Sequence, residues 1–168
     1  FMKSNHIAKG GIFAALSLIL LYLSSVVPTN RLSILCIASC IIPLSIMLTG
    51  VKNSVIVYGA VSILSLFIIP SKLIGLSYLL IFGSYGFVKY YVEKLRNIPV
   101  EIILKLLYFN ITSGLIVFIY KMLFLKIPNI NINIYLLLII VEVVFVIYDY
   151  ALTAFIGYAN KHLLKKLK

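Results

Sequence analysis

The sequence predicts an all-α integral membrane protein in which six transmembrane helices form one compact bundle. Hydrophobic residues make up 63% of the chain and charged residues only 11%, whereas soluble domains hold about 45–50% and about 25%. The mean hydropathy is +1.16, and the apolar residues fall into six long stretches with few charges. At 168 residues, the chain is expected to form a single transmembrane domain over residues 1–168. The composition argues against a soluble enzyme, a nucleic-acid-binding protein and a secreted disulfide scaffold.

Each predicted span is long enough to cross a bilayer, which takes about 20 mostly apolar residues. The first two spans are the uncharged stretches on either side of Arg31, bounded by Lys9 and Lys52. The fourth gains length from the amphipathic tail 89–92, and the last two are long but interrupted by charges. The six predicted spans cover residues 7–27, 32–51, 53–69, 73–92, 101–125 and 132–158.

Prolines mark the breaks between these spans. Pro28, Pro70 and Pro128 separate the first from the second, the third from the fourth and the fifth from the sixth. Pro99 lies in the charged linker before the fifth span. Proline lacks a backbone donor and restricts the residue before it, so it favours helix ends. Pro43 lies within the second span, where we expect a kink.

Basic residues are unevenly divided between the two ends that six antiparallel spans create. Arg31, Lys72, Lys121 and Lys126 lie at one end. The other eleven of the 15 Lys and Arg residues lie at the end that holds both termini: Lys3, Lys9, Lys52, Lys89, Lys94, Arg96, Lys105, Lys161, Lys165, Lys166 and Lys168. Because cytoplasmic ends are enriched in Lys and Arg, we expect a multi-pass protein of the cell (cytoplasmic) membrane with both termini in the cytoplasm. The net charge of +11 then suits anionic membrane lipids rather than nucleic acid.

The first stretch has a second interpretation, as a cleaved signal peptide. Such a peptide ends in a small-residue cleavage site of the A-x-A kind. The segment Leu23–Pro28 offers none, so a spanning helix is favoured.

The sequence contains no motif for nucleotide binding or for common hydrolases, so we expect neither an enzyme nor a resident cofactor. Cys36 and Cys40 share a helix face in the second span, without a nearby His or acidic cluster. Free Cys behaves as a small hydrophobic residue. We therefore expect these two residues to pack in the bundle rather than to bind a metal.

Strongly polar residues inside spans are the sharpest functional signal, because an ionisable group in lipid costs several kcal/mol unless it is paired or hydrated. At a rise of 1.5 Å per residue, Lys105 lies about 6 Å from the cytoplasmic end of the fifth span, and Asn110 about 14 Å. Glu142 lies about 15 Å from the outer end of the sixth span, and Asp149 about 25 Å. Lys105 and Asp149 thus have similar depths on adjacent antiparallel helices. We interpret them as a structural ion pair, in preference to a transport relay.

Glu142 has no cation at a matching depth. Tyr135, Glu142 and Asp149 follow a spacing of seven and lie close to one helix face, which we expect to point into the bundle. Asn110 is the neighbour expected near the membrane midplane. Glu142 then either lines a polar cavity or forms a hydrogen bond with Asn110 between the helices.

A strip of small residues begins the first span. Gly10 and Ala14, and likewise Gly11 and Ala15, are four residues apart, a spacing that lets a second helix approach closely. The strip serves either packing within the bundle or contact with a partner helix.

The segment Ile7–Ser17 (IAKGGIFAALS), together with the six-span topology and the proline-containing first turn, resembles the substrate-binding S components of energy-coupling factor (ECF) transporters. Gly10, Gly11, Ala14 and Ala15 fall where that family carries its AxxxA-type strip. The segments 105–110 and 147–150 look like those of uncharacterised six-span bacterial proteins of S-component type. The topology covers nearly the whole chain, whereas the motif covers the first span alone.

The resemblance implies a substrate-specificity subunit that binds a vitamin-like small molecule in a cavity on the outer side. It implies that helices 4 to 6 build the cavity, and that Asn30 and Arg31 belong to a lid between helices 1 and 2. The residues that it places around the cavity are Tyr78, Asn110, Tyr120, Tyr135 and Glu142. The implied partners are an ECF transmembrane coupling protein, docked on helix 1, and two ATPase subunits that alone use ATP.

Two alternatives remain open. The first is a non-transporting membrane scaffold of similar fold, comparable to the rod-shape protein MreD, in which the polar residues only hold the helices together. The second is an ion-coupled carrier that uses Glu142 and Asp149 as a relay. Carriers usually combine two repeated halves with broken helices, and the sequence shows no such repeat.

Overall fold

The structure is a computed structural model that describes residues 4–124 and 134–162. In this part of the chain all regular elements are helical, and six helical segments are long and apolar enough to cross a membrane. The fold therefore agrees with the predicted six-span membrane protein. The segments are α1 (Ser4–Val26), α2 (Pro28–Thr49), α3 (Val51–Ile68), α4 (Lys72–Glu93), α5 (Ile98–Phe124) and α6 (Ile134–His162).

The helix boundaries differ from the predicted ones where local chemistry favours a longer helix or a tighter turn. Gly50 forms the turn between α2 and α3 with φ of 84°, a conformation that glycine adopts at little cost. Lys52, predicted to separate two spans, instead lies in the first turn of α3. Pro99 lies in the first turn of α5, where the missing donor is tolerated. The predicted turn at Pro128 and the predicted boundaries at 125 and 132 lie outside the described residues.

Helix α2 is interrupted near its middle. It consists of a 3-10 turn at Pro28–Asn30 and two α-helices, Arg31–Ser39 and Ile41–Thr49. The break precedes Pro43, whose ring conflicts with the carbonyl four residues earlier and whose nitrogen cannot donate. The interruption thus lies about one turn before the proline, at Cys40.

Helix α4 contains a π-helical turn at Tyr78–Phe82, which the sequence did not predict. A π turn leaves carbonyls outside the regular hydrogen-bond ladder, and such turns frequently occur at functional sites. Two tyrosine hydroxyls from other helices bond these carbonyls. Tyr58 on α3 donates to the Leu79 carbonyl at 2.6 Å, and Tyr108 on α5 donates to the Leu80 carbonyl at 2.8 Å.

The bundle has two apolar clusters. The larger joins α1, α2, α3 and the first part of α4, around the fully buried Leu21, Ile42 and Val61. The smaller joins α4 to α6 around Tyr85 and Phe145, with α5 side chains packed against it. In the apolar stretch of each segment, only 11% of the residues of α5 and 17% of those of α6 are buried. The corresponding share in each of the other segments is 22% or more. The last two helices are therefore the outermost in the bundle.

Candidate functional site

Four charged side chains on α4, α5 and α6 form a compact ionic network, defined here as Lys89, Glu93, Lys105 and Asp149. The Lys89 side chain is only 1% exposed and forms an ion pair with Asp149. Its Nζ also lies 2.7 Å from Glu93 Oε1. Lys105 Nζ lies 3.0 Å from Glu93 Oε1 and 3.0 Å from Asp149 Oδ2. Two cations therefore meet two carboxylates, and the formal charge of the network is zero.

Neutral groups complete the coordination of the network. The Tyr85 hydroxyl donates to Asp149 Oδ1 at 2.7 Å, and Lys89 Nζ donates to Thr153 Oγ1 at 2.7 Å. Buried charges are stable only when partners satisfy most of their donors and acceptors. This degree of saturation is typical of a structural network that ties three helices together.

Lys89 and Glu93 are members of this network that the polar pattern of the spans did not reveal. The charge distribution predicts that Lys89 flanks a span, yet its side chain lies in the bundle interior. The signal that could have found it is the spacing of four between Lys89 and Glu93, which favours an ion pair on a helix. Lys89 also lies at the same end of the bundle as Lys105 and Asp149.

A cavity of about 560 Å³ lies between α2, α4, α5 and α6. It occupies the end of the bundle that carries the α1–α2 and α3–α4 turns, here called the turn end. Leu32 and Leu73 line the cavity, and each closely follows one of these two turns. The lining residues are Leu32, Cys36, Leu73, Ser77, Ile81, Phe82, Phe109, Ser113, Ile116, Val117, Ile140, Val141, Val144, Phe145 and Tyr148.

The turn-end cavity is apolar and aromatic. Phe109 and Phe145 stack with ring centroids 4.2 Å apart and planes 13° apart, and Phe82 meets Tyr148 edge to face at 5.7 Å. Among the described residues of its wall none is charged, and hydroxyls and a thiol are the only side-chain polar groups. Ligand sites commonly combine an apolar wall with a few polar groups. This cavity therefore suits a flat, largely apolar molecule.

The π turn of α4 contributes directly to this wall. Ile81 and Phe82 belong to it and line the cavity. The Tyr58 and Tyr108 hydroxyls that bond its carbonyls come from two different helices. The irregular backbone is thus held in place from both sides next to the cavity.

Asn110 and Glu142, both predicted to surround a cavity, contact each other instead. Asn110 Nδ2 lies 3.3 Å from Glu142 Oε1, and neither residue lines the turn-end cavity. Asn110 is exposed and Glu142 half-buried. This geometry corresponds to the interhelical hydrogen bond, the alternative that the sequence left open.

The reason is that the first half of α6 has few neighbours in the described part of the bundle. Leu136, Ile139 and Val143 point in different directions around the helix, and each is more than half exposed. Asp149 faces the ionic network, Glu142 lies at the edge of the α5–α6 contact, and Tyr135 is 74% exposed. The three residues therefore do not share one inward face.

Tyr78 also lies away from the predicted binding site. Its ring is fully buried and belongs to the larger apolar cluster with α1, α2 and α3. It begins the π turn, which changes the direction of the side chains that follow. Tyr120 is half-buried on α5 and does not line the cavity.

Asn30 and Arg31, predicted to belong to a lid, are exposed in the α1–α2 turn. Ser24 Oγ donates to the Arg31 carbonyl at 3.1 Å, which fixes the start of α2 against α1. Leu32 follows immediately and lines the turn-end cavity. The turn is thus adjacent to the cavity, although neither predicted side chain lines it.

The small-residue strip of α1 divides into two halves. A Cβ atom on Gly10 would lie 2.8 Å from Asn53 Nδ2 on α3, so this glycine serves packing within the bundle. Around Gly11 there is open space, and Ala15 is exposed, while Ala14 is half-buried. Only Gly11 and Ala15 of the strip remain accessible to a partner helix.

Comparison with known proteins finds no match to this chain among protein families, curated proteins or solved structures.

Proposed function

We propose that the chain is the substrate-specificity subunit of an ECF-type importer in the cell membrane, and that the turn-end cavity captures a vitamin-like small molecule. The observation that carries the proposal is the 560 Å³ cavity with a π-helical turn in its wall. A preformed apolar cavity with a few polar groups is the usual form of a small-molecule site. The positive-inside distribution of Lys and Arg supports an outward-facing turn end.

The arrangement of helices around the cavity supports this function. Segments α4, α5 and α6 supply most of the wall, and α2 contributes Leu32 and Cys36 next to the α1–α2 turn. The family resemblance implies a site in the same helices with the same turn above it. Movement of this turn would open or close the cavity without disturbing the ionic network at the other end.

The lining narrows the class of ligand. Phe82, Phe109 and Phe145 offer aromatic surface, and the hydroxyls of Ser77 and Ser113 offer hydrogen bonds. We therefore propose a substrate with a flat, largely apolar part. Arg31, exposed in the turn beside the cavity, is available for an anionic group at the mouth.

The accessible half of the α1 strip supplies the proposed docking face for the coupling protein. Gly11 and Ala15 lie four residues apart, and a Cβ atom on Gly11 would meet no other atom within 4 Å. Small residues at this spacing let helices approach closely in a membrane. The two ATPase subunits would bind through the coupling protein and not to this chain.

The test is co-purification of the tagged chain with a bacterial ECF coupling protein and its two ATPases. We expect the wild type to retain the ATPases and the double variant Gly11→Leu, Ala15→Leu to lose them. The matched control is Gly114→Leu, an open glycine on α5, which should behave as the wild type. A folded wild-type chain that retains no ATPase would contradict the proposal.

A membrane scaffold is the second candidate, and the ionic network favours it. Lys89, Lys105 and Asp149 are saturated by one another and by neutral groups, as expected of side chains that only hold helices together. A scaffold needs no occupied cavity, so ligand capture separates the two functions. The same saturation gives the ion-coupled carrier less support, because Asp149 is already engaged.

A further inference from the structure

A second cavity, of about 630 Å³, lies at the opposite end of the bundle, between α2, α4 and α6. We call this end, which carries Gly50 and the α4–α5 turn, the basic end. The cavity is separate from the turn-end cavity and shares no lining residue with it. Its lining residues are Pro43, Ile46, Met47, Gly86, Lys89, Tyr90, Glu93, Lys94, Arg96, Ile156 and Asn160.

The wall of the basic-end cavity has an apolar and a cationic part. Pro43, Ile46 and Met47 on α2 and Ile156 on α6 form an apolar floor. Gly86 brings α4 close to this floor, since a Cβ there would lie 2.9 Å from Ile42 Cγ2. An apolar floor of this kind can accept a hydrocarbon chain, which gains free energy by leaving water.

The cationic part carries unbalanced charge. Lys89 and Glu93 belong to the ionic network, whose formal charge is zero. Lys94 and Arg96 are exposed, and neither forms an ion pair with a carboxylate in the described part of the chain. Two positive charges are therefore available at the rim for an anion.

The backbone at Arg96 sets the direction of the chain after α4. Arg96 adopts φ of 54°, the left-handed conformation with which many helices end. Here the turn places the arginine among the residues that line the cavity.

We infer that the basic-end cavity binds an anionic phospholipid, with the phosphate held by Lys94 and Arg96 and an acyl chain on the apolar floor. Arginine and lysine both bind phosphate oxygens, and arginine can do so through two parallel hydrogen bonds. Tyr90 and Asn160, which also line the cavity, add neutral donors beside the phosphate. The site does not depend on the proposed import function.

A soluble phosphate ester carries the same phosphate group as a phospholipid and could also bind Lys94 and Arg96. The apolar floor of the cavity favours the phospholipid. Ile46, Met47 and Ile156 offer nothing to a small hydrophilic anion, whereas a lipid gains from burying its chain there. Lys94 and Arg96 follow the end of α4, and the ends of spanning helices are expected at the level of lipid headgroups. Basic pockets between helices at this level suit anionic headgroups.

Native mass spectrometry of the detergent-purified protein tests the site, with three probes added in turn. These are phosphatidylglycerol, phosphatidylcholine with the same acyl chains, and glycerol 3-phosphate. We expect phosphatidylglycerol to bind with a one-to-one stoichiometry and more tightly than the other two. The double variant Lys94→Gln, Arg96→Gln should bind it about 30-fold more weakly, as two lost charge contacts require.

The matched control is Lys52→Gln, Lys161→Gln, which removes the same charge from exposed residues that do not line the cavity. It should retain wild-type affinity. If both double variants bound phosphatidylglycerol equally weakly, the loss would come from general surface charge, and the inference would be overturned. Unchanged binding by the Lys94 and Arg96 variant, or tighter binding of glycerol 3-phosphate than of the lipid, would overturn it as well.

Discussion

Lys105 Nζ on α5 lies 3.0 Å from Asp149 Oδ2 on α6. The two residues are far apart in sequence, and their similar depth on neighbouring helices predicts their contact. Lys89, from a third helix, reaches the same carboxylate and is the more deeply buried cation. One aspartate thus joins the last three helices of the bundle through two lysines.

Replacement of Lys89 should destabilise the protein more than replacement of Lys105. Lys89→Met leaves Asp149 and Glu93 with one cation between them, and loss of one partner from a buried pair costs about 3–5 kcal/mol. Lys105→Met should cost less, because Asp149 keeps the more buried lysine. Thermal unfolding in detergent measures both, with the exposed Lys52→Met as the control. Equal stabilities of the Lys89 variant and the control would contradict the described network.

Removal of the Tyr58 hydroxyl should destabilise the π turn of α4. Tyr58→Phe removes the hydroxyl that donates to the half-buried Leu79 carbonyl at 2.6 Å, and loss of such a hydrogen bond costs about 0.5–1.5 kcal/mol. The control Tyr22→Phe removes a hydroxyl from a side chain that is 49% exposed and should have little effect. Thermal unfolding of the two variants checks this prediction. An unfolding temperature of the Tyr58 variant equal to that of the wild type would show that the hydrogen bond does not stabilise the π turn.

The two adjacent glycines of α1 should respond in opposite ways to alanine. Gly10→Ala places a methyl group 2.8 Å from Asn53 Nδ2, which must then move away from the His6 carbonyl that it donates to at 2.9 Å. The variant should lose about 0.5–1.5 kcal/mol of stability, the usual value of a hydrogen bond. Gly11→Ala meets open space and should be neutral or stabilising by up to about 1 kcal/mol, because alanine favours helix. Unfolding temperatures measured side by side provide the check. Similar losses in both variants would mean that α1 also packs through Gly11.

Glu142→Gln should leave ligand capture intact. The amide can still accept the hydrogen bond from Asn110, and Glu142 does not line the turn-end cavity. The family resemblance implied the opposite result, because it placed Glu142 among the residues around the cavity. Ligand occupancy measured by mass spectrometry distinguishes the two results. Loss of ligand in this variant would show that Glu142 belongs to the binding site.

Helix number and the Lys105–Asp149 contact were predictable because they depend on hydropathy and depth, which follow from residue counts. The exposure of Tyr135 was less predictable, since the heptad spacing places it near the face of Asp149 but does not show how few neighbours surround the first half of α6. The position of Tyr78 was not predictable, because no local pattern signals the π turn that begins there. The turn depends on Tyr58 and Tyr108 from other helices.

The chemistry of the turn-end cavity was not predictable from the sequence. The family resemblance implied a site in the last three helices, but the polar residues that drew attention, Asn110 and Glu142, bond each other outside it. The stacked Phe109 and Phe145 that line it look like ordinary apolar residues in sequence. Binding sites made of apolar side chains carry no compositional signal in a membrane helix.

The measurement that tests the central claim most directly is native mass spectrometry of the protein after incubation with a small-molecule extract of bacterial cells. Ser113→Trp places a large ring in the wall of the turn-end cavity, and Gly114→Leu changes the adjacent open position as its control. We predict one bound non-lipid molecule per chain in the wild type and in the control, and none in the Ser113 variant. An empty wild type, or equal occupancy in the Ser113 variant, would contradict ligand capture in this cavity.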